Sequence, residues 1–426
     1  MKRYEEYKDT GIGWLPKLPS HWKLEQLRKY IRLVSKKGYP EKQLLSVTRE
    51  LGVIIRDTES KEENHNFIPD DLSGYKYVRE GQFVINKMKS WQGSYGVSAY
   101  EGIVSPAYYV CDLDFPNKDF FGWAIRSRNY VSFFAQYSKG IRVGQWDLSP
   151  VALKSIPFFE PPLVEQEKIV RFLEENTSKI DALLEKKGEQ IQLLNELKES
   201  EIANIITRGL NPDVKLKDSG IPWIGMIPED WEVRRLSQVA YEHFISNKNI
   251  HHQNLLSLSY GRIIRKDINT TEGLLPASFD TYQVVERGNI VLRLTDLQND
   301  QKSLRVGLVR EEGIVTSAYV CLGISNNSIA PEYLYNTLHS YDIKKLFYSM
   351  GGGLRQNLNW QGLKKIDIPL PPPEEQNTIV AYIEDKCKII NSLITELEGE
   401  IEYLKEYKQK LIADCVTGQI DVQSEI

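Results

Sequence analysis

Long apolar runs are missing from this sequence: none approaches the ~18 residues that a membrane-crossing helix needs. The opening residues, MKRYEEYKDT, lack the apolar core of a secretory leader. A cytoplasmic protein is expected. Cysteine is scarce as well, with four among 426 residues. Cys111, Cys321, Cys387 and Cys415 make no CxxC pair, which excludes a zinc knuckle and a dithiol redox motif. Reduced, mostly buried thiols are the expectation.

Catalytic signatures are absent too. There is no GxxxxGK[ST] phosphate loop, no GxGxxG and no HExxH. The glycines at 351–353 run into Leu354 and Arg355 rather than a helix start. Asn211 and Pro212 continue as Asp213 and Val214, not as the NPPY-like tetrapeptide of an adenine methyltransferase. Glu185 and Lys187 have the acid–x–Lys spacing of a nuclease, but no second acid is placed for a metal; they read as a helix face. His251 and His252 are adjacent, would face opposite sides of a strand, and read as polar loop residues. No metal site, no cofactor site and no catalytic residue is expected in this chain.

What the sequence does contain is a repetition. KDTGIGWLPKLPSHWKL (residues 8–24) returns as KDSGIPWIGMIPEDWEV (217–233) at an offset of 209. Trp14 and Trp22 recur as Trp223 and Trp231, and Pro19 recurs as Pro228. The match continues: LLSVTRELGVIIRD from Leu44 with LLSLSYGRIIRKD from Leu255, then YVREGQFVINKMK with VVERGNIVLRLTD, then EGIVSPAYYVC with EGIVTSAYVCL. ALKSIPFFEPPLVEQ closes the first half and GLKKIDIPLPPPEEQ the second. Glycine turns feeding alternating apolar strands predict β-rich modules.

After each Pro-rich stop comes a proline-free stretch with one glycine, Gly188 or Gly399. In the second, Ile390, Ile394, Leu397, Ile401, Leu404, Leu411 and Cys415 keep a four–three spacing, with Lys408 in the one polar slot. In the first, Ile180, Leu184, Ile191, Leu194 and Ile205 fit the same seam, weakened by Lys187, Lys198 and Glu201. Helices of about 40 residues, ~60 Å long, are predicted. An antiparallel coiled coil between them buries the seam most simply; partner helices sharing it are the other reading. The tryptophans of the repeated tag read as packing residues that dock each module onto this helical rod. The fold class is therefore α+β, with a pseudo-two-fold internal repeat. The predicted organisation is a module at 1–160, a long helix at 161–210, a module at 211–372, and a long helix with a tail at 373–426. The net charge of −4 is unevenly spread: +5, −3, +1 and −7 over those segments, with the second module counted to residue 370. Acidic spacers joining neutral-to-basic modules are compatible with DNA binding through the modules.

These segments resemble a known family. KDSGIPWIGMIPEDWEV, preceded by TRGLNPDVKL, is similar to the central conserved region of the specificity subunits of type I restriction–modification systems. LPPPEEQNTIVAYI and LIADCVTGQIDV are similar to their distal conserved region. The resemblance covers the whole chain. It departs where TRGLNPDV in the first half answers to VTGQIDV at the end. It implies a non-catalytic subunit with two target-recognition domains, each reading half of a bipartite, asymmetric site in double-stranded DNA. The helices would set the gap and dock two methyltransferase subunits. S-adenosylmethionine would belong to those partners, and ATP and Mg to a restriction subunit that can join.

Candidates for DNA contact lie where the modules should agree in topology and differ in sequence. In NKMKSWQGSYG these are Lys87 and Lys89 for phosphate, and Ser90, Trp91 and Gln92 for base edges or stacking. At the equivalent place RLTDLQNDQKSLR offers Arg293, Thr295, Asp296, Gln298, Asn299 and Lys302. A second pair is GIRVGQWDLS, with Arg142, Gln145 and Trp146, and GGGLRQNLNW, with Arg355, Gln356 and Asn357. An ordinary polar loop or turn explains each segment as well. A coiled-coil adaptor that binds only proteins is the competing reading of the whole, and constant tags beside divergent loops favour DNA readout over it.

Overall fold

The computed structural model describes residues 2–13, 15–57, 68–140, 146–268, 278–298, 304–350 and 357–423, with Asn249 described in its backbone alone. The chain divides into two compact units: Met1–Lys187 with Gly399–Ile426, and Gly188–Glu398. The division cuts both long helices beside Gly188 and Gly399, so each unit holds one module with half of each helix.

In unit 1 the strands are β1 (Tyr7–Ile12), β2 (Leu15–Pro19), β3 (Lys23–Gln26), β4 (Ile31–Val34), β5 (Leu45–Thr48), β6 (Gly52–Ile55), β7 (Lys76–Val78), β8 (Phe83–Ile85), β9 (Tyr95–Val97), β10 (Gly102–Val104), β11 (Tyr109–Leu113) and β12 (Pro157–Glu160). Helices α1 (Lys118–Ile125), α2 (Arg128–Tyr137) and α3 (Pro150–Ser155) precede the long α4 (Leu163–Arg208). The central antiparallel sheet runs β4-β11-β8-β9; β7 pairs β10, β5 pairs β6, and β3 pairs β12. Strand β8 is buried on both faces. Its outer residues Phe83 and Ile85 enter the main core under the helices, and Val84 between them joins Val47, Val78 and Val110 on the other side. That is the period-2 alternation of a strand covered twice.

Unit 2 repeats this plan with β13 (Leu216–Asp218), β14 (Met226–Pro228), β15 (Glu232–Arg235), β16 (Ala240–Glu242), β17 (Ile245–Ser246), β18 (Leu256–Ser259), β19 (Arg262–Arg265), β20 (Gln283–Val285), β21 (Ile290–Leu292), β22 (Val306–Leu308), β23 (Gly313–Val315), β24 (Val320–Ile324) and β25 (Asp367–Leu370). Its sheet order is β16-β24-β21-β22, the order of unit 1 strand for strand. Ile290 and Leu292 face one core while Val291 faces the other. Even the isolated parallel bridges correspond, Leu44 with Ile103 and Leu255 with Ile314. The units differ where one 13-residue helix, α5 (Pro331–Ile343), replaces α1 and α2; α6 (Trp360–Leu363) and the long α7 (Pro373–Val416) come after it. The duplication read from the sequence therefore extends to topology.

The heptad seam is present. Along α7, Ile394, Leu397, Ile401, Leu404 and Lys408 are shielded between exposed flanks, while Ile390 is buried and Leu411 and Cys415 lie in a last stretch, 411–416, that is shielded throughout. The polar slots are matched across the helix pair. In unit 1 Lys408 meets Asp181 at 2.6 Å and Lys187 pairs with Glu400; in unit 2 Lys198 donates to Asn391 at 3.1 Å. Partner numbers rise on one helix as they fall on the other, from 181 with 408 to 187 with 400 in unit 1 and from 198 with 391 to Gly209 beside Glu375 in unit 2, so the pairing is antiparallel in both units. The nuclease-like Lys187 is thus a seam residue.

Each repeated tag docks on two helix ends. In unit 1 the buried Trp22 donates from Nε1 to Glu165 in the first turn of α4, at 2.9 Å. In unit 2 Trp231 donates to Glu375 in the first turn of α7, also at 2.9 Å. Beyond the opposite helix end stand Gly418 (φ +66°), against Pro19 and Trp22, and Gly209 (φ +72°), against Pro228 and Trp231. A left-handed glycine is the usual stop just after a helix, and a side chain at either position would strike the tag. TRGL and VTGQ are therefore one structural device in spite of their different sequences.

Candidate nucleic-acid interface

In unit 1 the loop after β8 is closed by Asn86 N–H to the Ser94 carbonyl, 3.0 Å. Ser90–Gln92 form a 3-10 turn stopped by Gly93 at φ +98°. Ser90 is fully buried; its hydroxyl donates to the Lys87 carbonyl at 3.1 Å and lies 3.4 Å from that of Ser138. It holds the turn onto α2 and presents nothing outward, which corrects its assignment to base edges. Lys89 is exposed, and Trp91 and Gln92 are half-buried.

The second candidate segment comes to the same place. Leu148 N–H donates to the Lys87 carbonyl at 3.1 Å, Lys87 Nζ meets Asp147 at 3.0 Å, and the rings of Trp91 and Trp146 lie 5.1 Å apart. Asp147 exchanges two backbone bonds with Lys139. Lys87 is thereby a partly neutralised cation, and Lys89 is the more open one. Arg142 and Gln145 lie outside the described residues.

Unit 2 joins its two segments by the same backbone bond, from Leu358 N–H to the Leu294 carbonyl at 2.9 Å. A second link runs from Asp296 N–H to Asn357 Oδ1, 2.8 Å, with Asp296 at φ +56°. Leu294 and Leu297 are buried anchors, Arg293, Thr295 and Asp296 are half-buried, and Gln298 and Asn357 are exposed. Asn299, Lys302, Arg355 and Gln356 lie outside the described residues.

The sequence reading missed Arg305, the last residue of the RLTDLQNDQKSLR segment. It is fully buried, and its guanidinium donates to the carbonyls of Arg293 (3.1 Å), Thr295 (2.9 Å) and Asp296 (3.4 Å) and to the Tyr348 hydroxyl (3.0 Å). A cation so placed shapes the loop from inside. Nothing in its local sequence separates it from the exposed cations around it.

The surface so built carries amides, cations and a tilted pair of indoles on closely anchored loops, which suits groove and backbone contact. Among the described residues no three His, Cys, Asp or Glu side chains gather as metal ligands. Burial pushes the thiols of Cys111, Cys321 and Cys415 up to about 12, so they are poor nucleophiles. No helix among the described residues is long and apolar enough to cross a membrane.

Comparison with known proteins defines the class of this surface. Residues 228–403 match the type I restriction modification DNA specificity domain. Over 99% of its length the chain is 25% identical to a putative type I restriction enzyme MjaX specificity subunit of Methanocaldococcus jannaschii, covering 98% of that protein. It is 27% identical to the MjaVIII specificity subunit of the same organism over 69% of this chain and 68% of that one. A solved type I R-M system chain, described for complex assembly and conformational transition, shares the fold with a TM-score of 0.67 at 15% identity, over 95% of this chain and 100% of that one. The HsdS subunit of Thermoanaerobacter tengcongensis gives 0.50 at 16% identity, over 95% and 98%. Over its whole length the chain is thus similar to specificity subunits of type I restriction–modification systems.

Proposed function

We propose that each module reads one half of a bipartite, asymmetric site in double-stranded DNA, and that the chain does no chemistry itself. One observation carries this reading: two modules of the same strand order keep the same Trp-to-Glu bond between tag and helix while their convergent loops present different side chains. Identical partners fit the constant parts, and different DNA sequences fit the variable ones. The partners are two methyltransferase subunits on the helices and tags, with a restriction subunit able to join. S-adenosylmethionine, ATP and Mg are then held by partners, and the assembly works in the cytoplasm.

In module 1 Lys89 holds phosphate while Trp91, Gln92 and Trp146 face the groove. In module 2 Arg293, Gln298 and Asn357 do so, with Thr295 and Asp296 at the loop's crest. Arg142, Gln145, Asn299, Lys302, Arg355 and Gln356 complete the proposed contact set. The weak positive charge of the modules leaves the chain alone a poor DNA binder, because few phosphate contacts release few counterions.

The test is to co-express the chain with its methyltransferase and map methylated adenines across a genome. A split, asymmetric motif is expected. Removing matched heptads from α4 and α7 should change the gap and spare both half-sites. A continuous motif, or none, overturns the reading.

A further inference from the structure

The matched segments LLSVTRELGVIIRD and LLSLSYGRIIRKD lie outside the tags, the helices and the proposed contact loops. Each forms a two-stranded ribbon, β5–β6 and β18–β19. In β18–β19 the inward residues Leu256, Leu258 and Ile263 pack on the module. A Cβ on Gly307 of β22 would come within 2.6 Å of Leu258, so the ribbon lies flat on the strand that ends the Arg293–Arg305 loop. Its turn touches Leu304 of that loop.

The turn has two residues, Tyr260 at φ +46° and Gly261 at φ +76°. This is the left-handed pair of a type I′ hairpin, where Asn-Gly is favoured. Tyrosine is strained there, and its side chain is 82% exposed. It stabilises neither the turn nor the core. Opposite pairs Ser257–Ile264 and Ser259–Arg262 form the outward face, and exposed Lys266 follows on the same side. We propose that this ribbon is a second DNA-reading element, which enters the major groove beside the loop with Tyr260 stacked at its tip. A two-stranded ribbon fits that groove, the hydroxyls and Arg262 suit its edges, and the turn abuts Leu304 at the end of the loop. Module 1 carries Arg49, Glu50 and Leu51 at the same tip, which makes it a different reader.

This inference rests on the function proposed above. The test uses the full chain assembled with its methyltransferases, a duplex carrying the mapped site, and fluorescence polarisation. Tyr260→Asn should weaken binding about 5- to 150-fold, the span of one lost stacking contact, while raising the melting temperature. Tyr260→Phe should bind within about twofold of the parent, and Arg262→Gln should weaken binding and flatten its salt dependence. Unchanged binding by Tyr260→Asn, or loss of the methyltransferases in place of DNA affinity, overturns the ribbon's role. Gln298→Ala with Asn357→Ala separates the two ideas. If this pair weakens binding and Tyr260→Asn does not, only the ribbon falls. If neither does, the reading of the second module falls with it.

Discussion

The two modules share a strand order and differ in how they hold one loop. Module 1 folds residues 86–94 around a 3-10 turn, with the small buried Ser90 tied to Ser138 and a glycine stop. Module 2 has a longer sequence there and supports its described part, residues 293–296, with Arg305, whose guanidinium donates to three carbonyls and a phenol. The strands on either side correspond in register: Ile85 opposite Tyr95, and Leu292 opposite Val306. A duplicated scaffold thus keeps its ladder, because β8 and β21 are hydrogen-bonded to a neighbour on each side and a slip would unpair both. Variation is confined to a crossing whose carbonyls can be satisfied in more than one way.

The sharpest break in that comparison is Arg305→Ala. It leaves several buried carbonyls unpaired and empties a large volume, so about 3–5 kcal/mol of stability should be lost. The equivalent module 1 change, Ser94→Ala, should cost about 1 kcal/mol or less. Denaturant unfolding of the two variants checks the contrast, and equal losses would mean that Arg305 is not the internal support of its loop.

Acid should also divide the units. His339 of α5 lies against the ribbon glycine Gly261, where module 1 sets Arg126 against Gly52. Burial holds His339 down from 6.5 to about 4. Between those values the unfolded chain takes up a proton that the folded chain refuses, so stability falls as pH drops through the window and is level above it. A loss of about 3 kcal/mol is expected for unit 2. Hydrogen exchange should report it there first, and His339→Gln should flatten the profile.

The anchors give a smaller contrast. Glu165 is held by Trp22, by Tyr4 at 3.0 Å and by His21 at 2.6 Å, whereas Trp231 is the tag donor to Glu375. Burial raises the Glu375 carboxyl above its ordinary value. Trp231→Phe should therefore cost about 1–2 kcal/mol and Trp22→Phe less than about 1. Thermal melts of the two variants compare them directly. The smallest effect belongs to the seam: Lys408→Ala breaks a half-exposed pair with Asp181 and should cost under about 1 kcal/mol, vanishing in ~1 M salt.

Much of the scaffold was legible because it is periodic. The four–three spacing from Ile390 to Cys415 needs only neighbouring turns of one helix to declare itself. The matched strings at offsets of 207 to 211 declare the duplicated strands in the same way. The candidate loops were legible as positions, since both segment pairs meet through Leu148 to Lys87 and Leu358 to Leu294. Their side chains were not. Ser90 and Gln92 look alike in sequence as polar turn residues, yet one is buried under α2 and the other is not.

By itself, then, the sequence determined the repeat, the strands and the helical seam, all of which arise from spacing along the chain. Only the tertiary structure decided which polar groups face inward. It turned Arg305 into a core residue, gave Trp22 and Trp231 their carboxylates 143 and 144 residues away, and left Tyr260 exposed on a left-handed turn. A buried donor must find its acceptor wherever the fold brings one, and that partner is not written beside it in the chain.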